Sequence, residues 1–115
     1  MPITPPKQFV PPTLLTPNPT ALYTAPANIA GGLIKKCTLV NSSSSPVSVS
    51  LYIAPGGVAA SATNIVLSAA TVLAGQTREV YEIENHVVPT AGTLQASCTT
   101  AGVCSMLVTG VEFGN

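Results

Sequence analysis

The sequence predicts an all-β fold, an antiparallel β-sandwich of jelly-roll-like type with an extended, proline-rich N-terminal arm. Three observations predict it. Val47, Val49, Leu51 and Ile53 alternate with Ser48, Ser50 and Tyr52, a period of two that gives a strand one buried and one wetter face. Short apolar segments at 33–40, 47–53, 65–68, 77–83, 93–98 and 104–113 follow one another with turn residues between them, the spacing of a sandwich or jelly roll. Seven of the eleven prolines fall within the first 19 residues, which separates an arm, 1–19, from a sandwich domain, 20–115.

In the arm, Pro2, Pro5, Pro6, Pro11, Pro12, Pro17 and Pro19 remove amide hydrogens and fix φ, which rules out a helix or an inner strand and favours extended chain. A plain spacer has no need of Ile3, Phe9, Val10, Leu14 and Leu15. The arm is expected to lay Phe9, Val10, Leu14 and Leu15 into grooves of a neighbouring subunit; an arm folded back on its own domain, or a disordered one, is the alternative.

Residues 21–24 form a short strand closed by Pro26. A loop carrying Gly31-Gly32 leads to the long strand 33–40, whose broken period sends Leu33, Cys37 and Leu39 one way and Ile34 and Val40 the other. Lys35 and Lys36 are adjacent, so one is expected on each face. They line a subunit seam, or they are solvated edge charges that discourage aggregation. The strand 47–53 lies between Asn41–Pro46 and Ala54–Gly57, both turn chemistry. The alanine-rich stretch 58–64 is a linker with room for one helical turn, and 65–68 is a short buried strand. Ala74-Gly75-Gln76 turns into a strand over 77–83 with Tyr81 and Ile83 inward and charges that reach Lys35 or Lys36 across the sheet. After the brief segment 86–89 and the turn at 90–92, residues 93–98 and 104–113 form the last hairpin. In its second strand Cys104, Met106 and Val108 point inward, then Val111 and Phe113, with a bulge at Gly110.

Composition narrows the function. Charged residues are 7 % of the 115, aspartate is absent, net charge is zero and mean hydropathy is +0.47. So little charge on a chain without a spanning segment points to surface covered by other protein rather than to free diffusion. Four cations make no nucleic-acid footprint, and no signal peptide is read. Three cysteines are a poor disulfide framework. Cys98 and Cys104 could face one another across 99–103, but reduced thiols in a reducing cytoplasm are the expectation.

No chemistry is assembled. His86 is the single histidine, and Glu84, two residues away on a strand, is about 7 Å off, too far to orient it. Glu82 and Glu84 as an acid pair have no supporting pattern, and no metal or phosphate motif is present. No enzyme and no cofactor are expected, and Tyr23, Tyr52 and Tyr81 read as core-edge residues rather than a stacking platform.

Several stretches resemble small β-sandwich virion proteins of tailed bacteriophages. They are Leu22–Asn28, Leu33–Lys36, Val40–Ser43, Val47–Gly57, Ala91–Ser97 and Val108–Phe113, together spanning roughly 20–113 and leaving out the arm. Gly92 is followed here by Thr93, where that pattern often has an acidic residue. The resemblance implies no catalytic residues. It implies a structural virion protein assembled in the host cytoplasm: a capsid decoration or cement protein that bridges subunits of the major capsid protein, or a neck, tail or tail-fibre component that docks other virion proteins or a host surface. A homo-oligomer, dimer or trimer, with no nucleic acid and no membrane as partner, completes the expectation.

Overall fold

The computed structural model describes residues 6–114, so Ile3 of the expected arm lies outside the described residues. Among the described residues nine strands run β1 (Lys7–Leu14), β2 (Thr20–Thr24), β3 (Gly31–Asn41), β4 (Val47–Ala54), β5 (Ile65–Val72), β6 (Thr77–Glu79), β7 (Val87–Pro89), β8 (Thr93–Cys98) and β9 (Cys104–Phe113), with one 3₁₀ turn at Tyr81–Ile83. Every pairing is antiparallel. One sheet has the order β1-β9-β3-β6, with β7 also on β3, and the other has β2-β8-β4-β5. The expected antiparallel sandwich is the fold.

The two inner faces meet in one core. Val47, Val49 and Leu51 of β4 enter it at the expected alternation, facing Ile34, Cys37 and Leu39 of β3 and Met106 and Val108 of β9. Asn41 is fully buried among them and fully bonded. Its amide donates to the carbonyls of Ser45 (2.8 Å), Val72 (3.1 Å) and Leu73 (3.2 Å), and its Oδ1 accepts from the Ser43 N–H and hydroxyl.

Several expectations are corrected, each by an irregularity that periodicity cannot register. Residues 7–14 are not a free arm but an edge strand on β9. Proline is tolerated there because an edge strand needs its amide hydrogens on one side alone. Phe9 is an extra residue against β9, and another extra residue falls between Val10 and Thr13, where Pro11 and Pro12 lie exposed. These bulges put the adjacent Phe9 and Val10 both into the core. In β3, Lys35 is the extra residue between Ile34 and Lys36, so both lysines are exposed, Ile34 joins Cys37 inside and Leu33 turns outward. The irregularity opposite Gly110 therefore belongs to β3. Residues 65–72 make one strand, with Ala69 at φ 48° in its bulged middle. The strand expected over 77–83 stops at Glu79, and the 3₁₀ turn that follows buries Val80 and Ile83 and leaves Tyr81 70 % exposed. Finally, β8 and β9 do not pair. They lie in opposite sheets, and 99–103 is an arch between them.

Candidate interaction surface

The six residues expected to touch a partner separate into two groups. Phe9, Val10 and Leu15 are 4 %, 1 % and 2 % exposed and belong to this chain's own core, a correction to their expected place in a neighbour's grooves. The physical reason is a cradle built for Phe9. Its ring lies over Gly110, where an added Cβ would stand 2.5 Å from it, and close to Gly32, where the distance would be 3.1 Å. The Tyr23 ring stacks on its other side, and the Tyr23 hydroxyl donates to Glu112 Oε2 at 2.7 Å. Lys7 Nζ reaches the same oxygen at 3.3 Å. Burial, reinforced by that carboxylate, pushes the Tyr23 phenol well above its ordinary range.

Leu14, Lys35 and Lys36 stay on the surface. Leu14 is 56 % exposed beside the small hollow formed with Thr16, Thr20 and Leu22. Lys36 pairs with Glu79 at 3.3 Å across the β3–β6 ladder, the contact expected from sequence. Glu84 lies nearby. Desolvation and then the hydrogen-bonded Glu79 carboxyl raise its pKa, with Lys36 and Lys35 opposing.

A group of exposed apolar side chains lies elsewhere. On the outside of β3, Leu33 stands opposite both Val87 and Val111, and Gly31 opposite both Pro89 and Phe113. The side chains of Val87 and Phe113 close over bare Gly31, where an added Cβ would be 3.0 Å from Val87 Cγ1 and 3.1 Å from the Phe113 ring. Val87 is nevertheless 44 % exposed and Phe113 37 %. Val87 also lines an open groove of about 580 Å³ at the sandwich edge, whose other walls include Ile53, Val66, Val58 and His86. Val58, on the loop leaving β4, is 46 % exposed. Apolar surface thus continues from Val58 across the groove to Val87, Leu33 and Phe113.

Sequence reasoning missed this surface because Phe113 was expected inside and Val87 belonged to a segment too short to show a period. The available signal was Gly31, a glycine at the head of a long strand, which marks close approach from a neighbouring strand. His86 is exposed at the groove rim, and its carbonyl accepts the Ile34 N–H at 2.9 Å. Among the described residues no three His, Cys, Asp or Glu side chains cluster as metal ligands would, and no helix is long and apolar enough to cross a membrane.

Comparison with known proteins finds no matching protein family, no matching curated protein and no matching solved structure.

Proposed function

We propose that the chain is a structural protein of the tailed-bacteriophage virion, a capsid decoration or cement protein that sits on the major capsid protein and braces the head. The observation that carries this reading is the continuous apolar surface from Val58 to Val87, Leu33 and Phe113 on a domain with so few charges. A surface of that kind is suited to cover by other protein. In a lattice, many weak copies act together, so each contact need bury little area. A cyclic homo-oligomer would repeat the same contact around a capsomer axis.

The wiring supports a jelly roll as the finer description of the fold. The chain alternates between sheets through β1, β2, β3 and β4, and the orders β1-β9-β3-β6 and β2-β8-β4-β5 are those of two interlocked Greek keys. That architecture is common to viral capsid proteins, lectins and cupins. The sequence resemblance to phage sandwich proteins is the second support; its stretches fall on β2, β3, β4, β8 and β9 and leave out β1.

Quantitative mass spectrometry of purified particles, against the major capsid protein, tests the proposal. A copy number equal to the capsid protein or a simple fraction of it is expected. About a dozen copies would move the chain to the neck or tail, and absence from particles would overturn the virion reading. Val87→Asp tests the surface, with loss of binding to particles while the domain stays folded as the expected result.

A further inference from the structure

At one end of the sandwich the two sheets are drawn together around a pair of cysteines. Cys98 ends β8 in one sheet and Cys104 begins β9 in the other, joined by the arch 99–103. Leu15 and Thr16 are inserted beneath that arch. The Leu15 N–H donates to the Cys104 carbonyl at 2.8 Å, the Cys98 N–H donates to the Thr16 carbonyl at 2.9 Å, and the Gly102 N–H donates to the Leu15 carbonyl at 3.2 Å. Two consecutive residues, whose Cα atoms stand about 3.8 Å apart, therefore hold the backbones of both cysteines. The arch is pinned outside as well, by Ser42 N–H to the Val103 carbonyl (2.9 Å) and Thr99 N–H to the Ser48 carbonyl (3.0 Å). Both side chains are at most 1 % exposed, the Cys104 Sγ lies 3.9 Å from the Ser105 carbonyl oxygen, and the Cys98 thiol is near enough to add to the rise in the Cys104 pKa. Both are reduced, as is Cys37.

We propose that Cys98 and Cys104 are a latent disulfide, closed by exchange with a low-molecular-weight disulfide such as oxidised glutathione, which staples one sheet to the other across the arch. One thiol of the pair loses its proton and attacks a sulfur of oxidised glutathione, expelling one glutathione thiolate and leaving a mixed disulfide. The second cysteine, also deprotonated, attacks the protein sulfur of that mixed disulfide. The Cys98–Cys104 bond forms and the second glutathione thiolate leaves. The two protons pass to the departing thiolates, so two protein thiols are oxidised and one small disulfide is reduced.

Access sets the pace. Burial and then the neighbouring Cys98 push the Cys104 thiol up to about 12, so Cys104 under the closed arch is unreactive near neutrality. Thr99 to Gly102 are exposed, and Gly102 adopts φ +75° with open space around it, which makes the arch the segment whose local opening admits the oxidant. Cys37 stands opposite Val108, further along β9, and remains a thiol. The pair would stay reduced in a reducing cytoplasm and close on exposure to an oxidising medium.

The test incubates the native full chain with oxidised glutathione, then counts thiols and maps the linked peptides. The expected result is loss of two of three thiols, a single Cys98–Cys104 linkage, and a midpoint of thermal unfolding raised by roughly 5–10 °C for so short a closed loop, reversed by dithiothreitol. The same incubation in denaturant supplies the control, since the unfolded chain forms all three possible pairings. Three persistent thiols in the native protein, over the time in which the denatured chain is fully oxidised, would overturn the proposal. So would stable glutathione adducts or a mixture of pairings. Cys37→Ala, which keeps the proposed pair, should oxidise as the parent does, and Cys98→Ser should retain both remaining thiols. The chemistry of the pair is independent of the virion assignment, and either can fail without the other.

Discussion

The ring of Phe9 lies parallel to the ring of Tyr23, their centroids 4.1 Å apart and their planes within 4°. That stack ties an N-terminal edge strand to the opposite sheet, since Phe9 belongs to β1 and Tyr23 to β2. It is possible because Gly110 and Gly32 present no side chain beneath it. The salt bridge from Lys7 and the hydrogen bond from Tyr23 then meet on one carboxylate oxygen of Glu112 and close the outer end of the cradle.

Gly110→Ala is expected to be strongly destabilising. Its Cβ would fall 2.4 Å from the Leu33 carbonyl oxygen and 2.5 Å from the Phe9 ring. The backbone contact cannot yield by a side-chain rotation, so the ladder or the stack must shift, at about 2–4 kcal/mol by the scale of overpacked and strained cores. Gly114→Ala, where an added Cβ meets nothing, should be neutral. Urea denaturation of the two variants beside the parent measures the difference.

Removing residues 1–14 is expected to unfold the domain rather than release a passive arm. The deletion takes away Phe9 and Val10 from the core and exposes the β9 edge. Loss of a buried Phe alone costs about 3–5 kcal/mol, against a total stability of about 5–15 kcal/mol for a domain. The truncated chain should therefore lose its cooperative thermal transition. A well-folded 1–14 deletion would show that β1 contributes little.

What was legible in the sequence follows from where its periods are clean. β4 alternates cleanly in sequence and its inward residues Val47, Val49 and Leu51 follow that period, but past Leu51 the strand is irregular against β5, so Ile53 turns to the groove and Ala54 is buried in its place. The sheets and the antiparallel class followed from the number and spacing of such segments. The misassignments lie at bulges and crossovers. Lys35 and Phe9 are each one residue too many against β9, and a single extra residue inverts the apparent face of everything beyond it. Whether two consecutive strands pair or part into opposite sheets depends on the arch and not on local pattern, which is why β8 and β9 looked like a hairpin. The apolar surface at Val87 and Phe113 was hidden for a related reason: both residues cover a glycine, and their exposure depends on three strands meeting.

Asn41 was also missed as a core element, since an asparagine before four serines reads as loop. Asn41→Ala should cost about 2–4 kcal/mol, because three backbone carbonyls lose their donor at a buried site. Asn41→Asp should be at least as harmful, since an ionised carboxylate would face those same carbonyls with nothing to donate. Amide hydrogen exchange should localise the damage to the Ser42–Ser45 loop and the end of β5. A variant as stable as the parent would mean that water replaces the amide without loss.

Stability should fall as the medium becomes alkaline. Burial is the main cause that lifts Cys37 and Cys104 from an ordinary value of 9.0 to about 12, and Tyr23 is raised as well. Below pH 9 these groups are protonated in folded and unfolded chains alike, and their contribution is fully present. Between 9 and 12 the unfolded chain releases protons that the folded chain keeps. The unfolded state then binds fewer protons, so the free energy of unfolding decreases with pH. Cys37 alone gives a slope of about 1.4 kcal/mol per pH unit within that window. Denaturation midpoints measured with reductant present, from roughly pH 8 to 11, should be flat at first and then decline. Cys37→Ala should start from a lower plateau and decline less steeply. An unchanged slope in that variant would remove Cys37 as a source of the alkaline sensitivity.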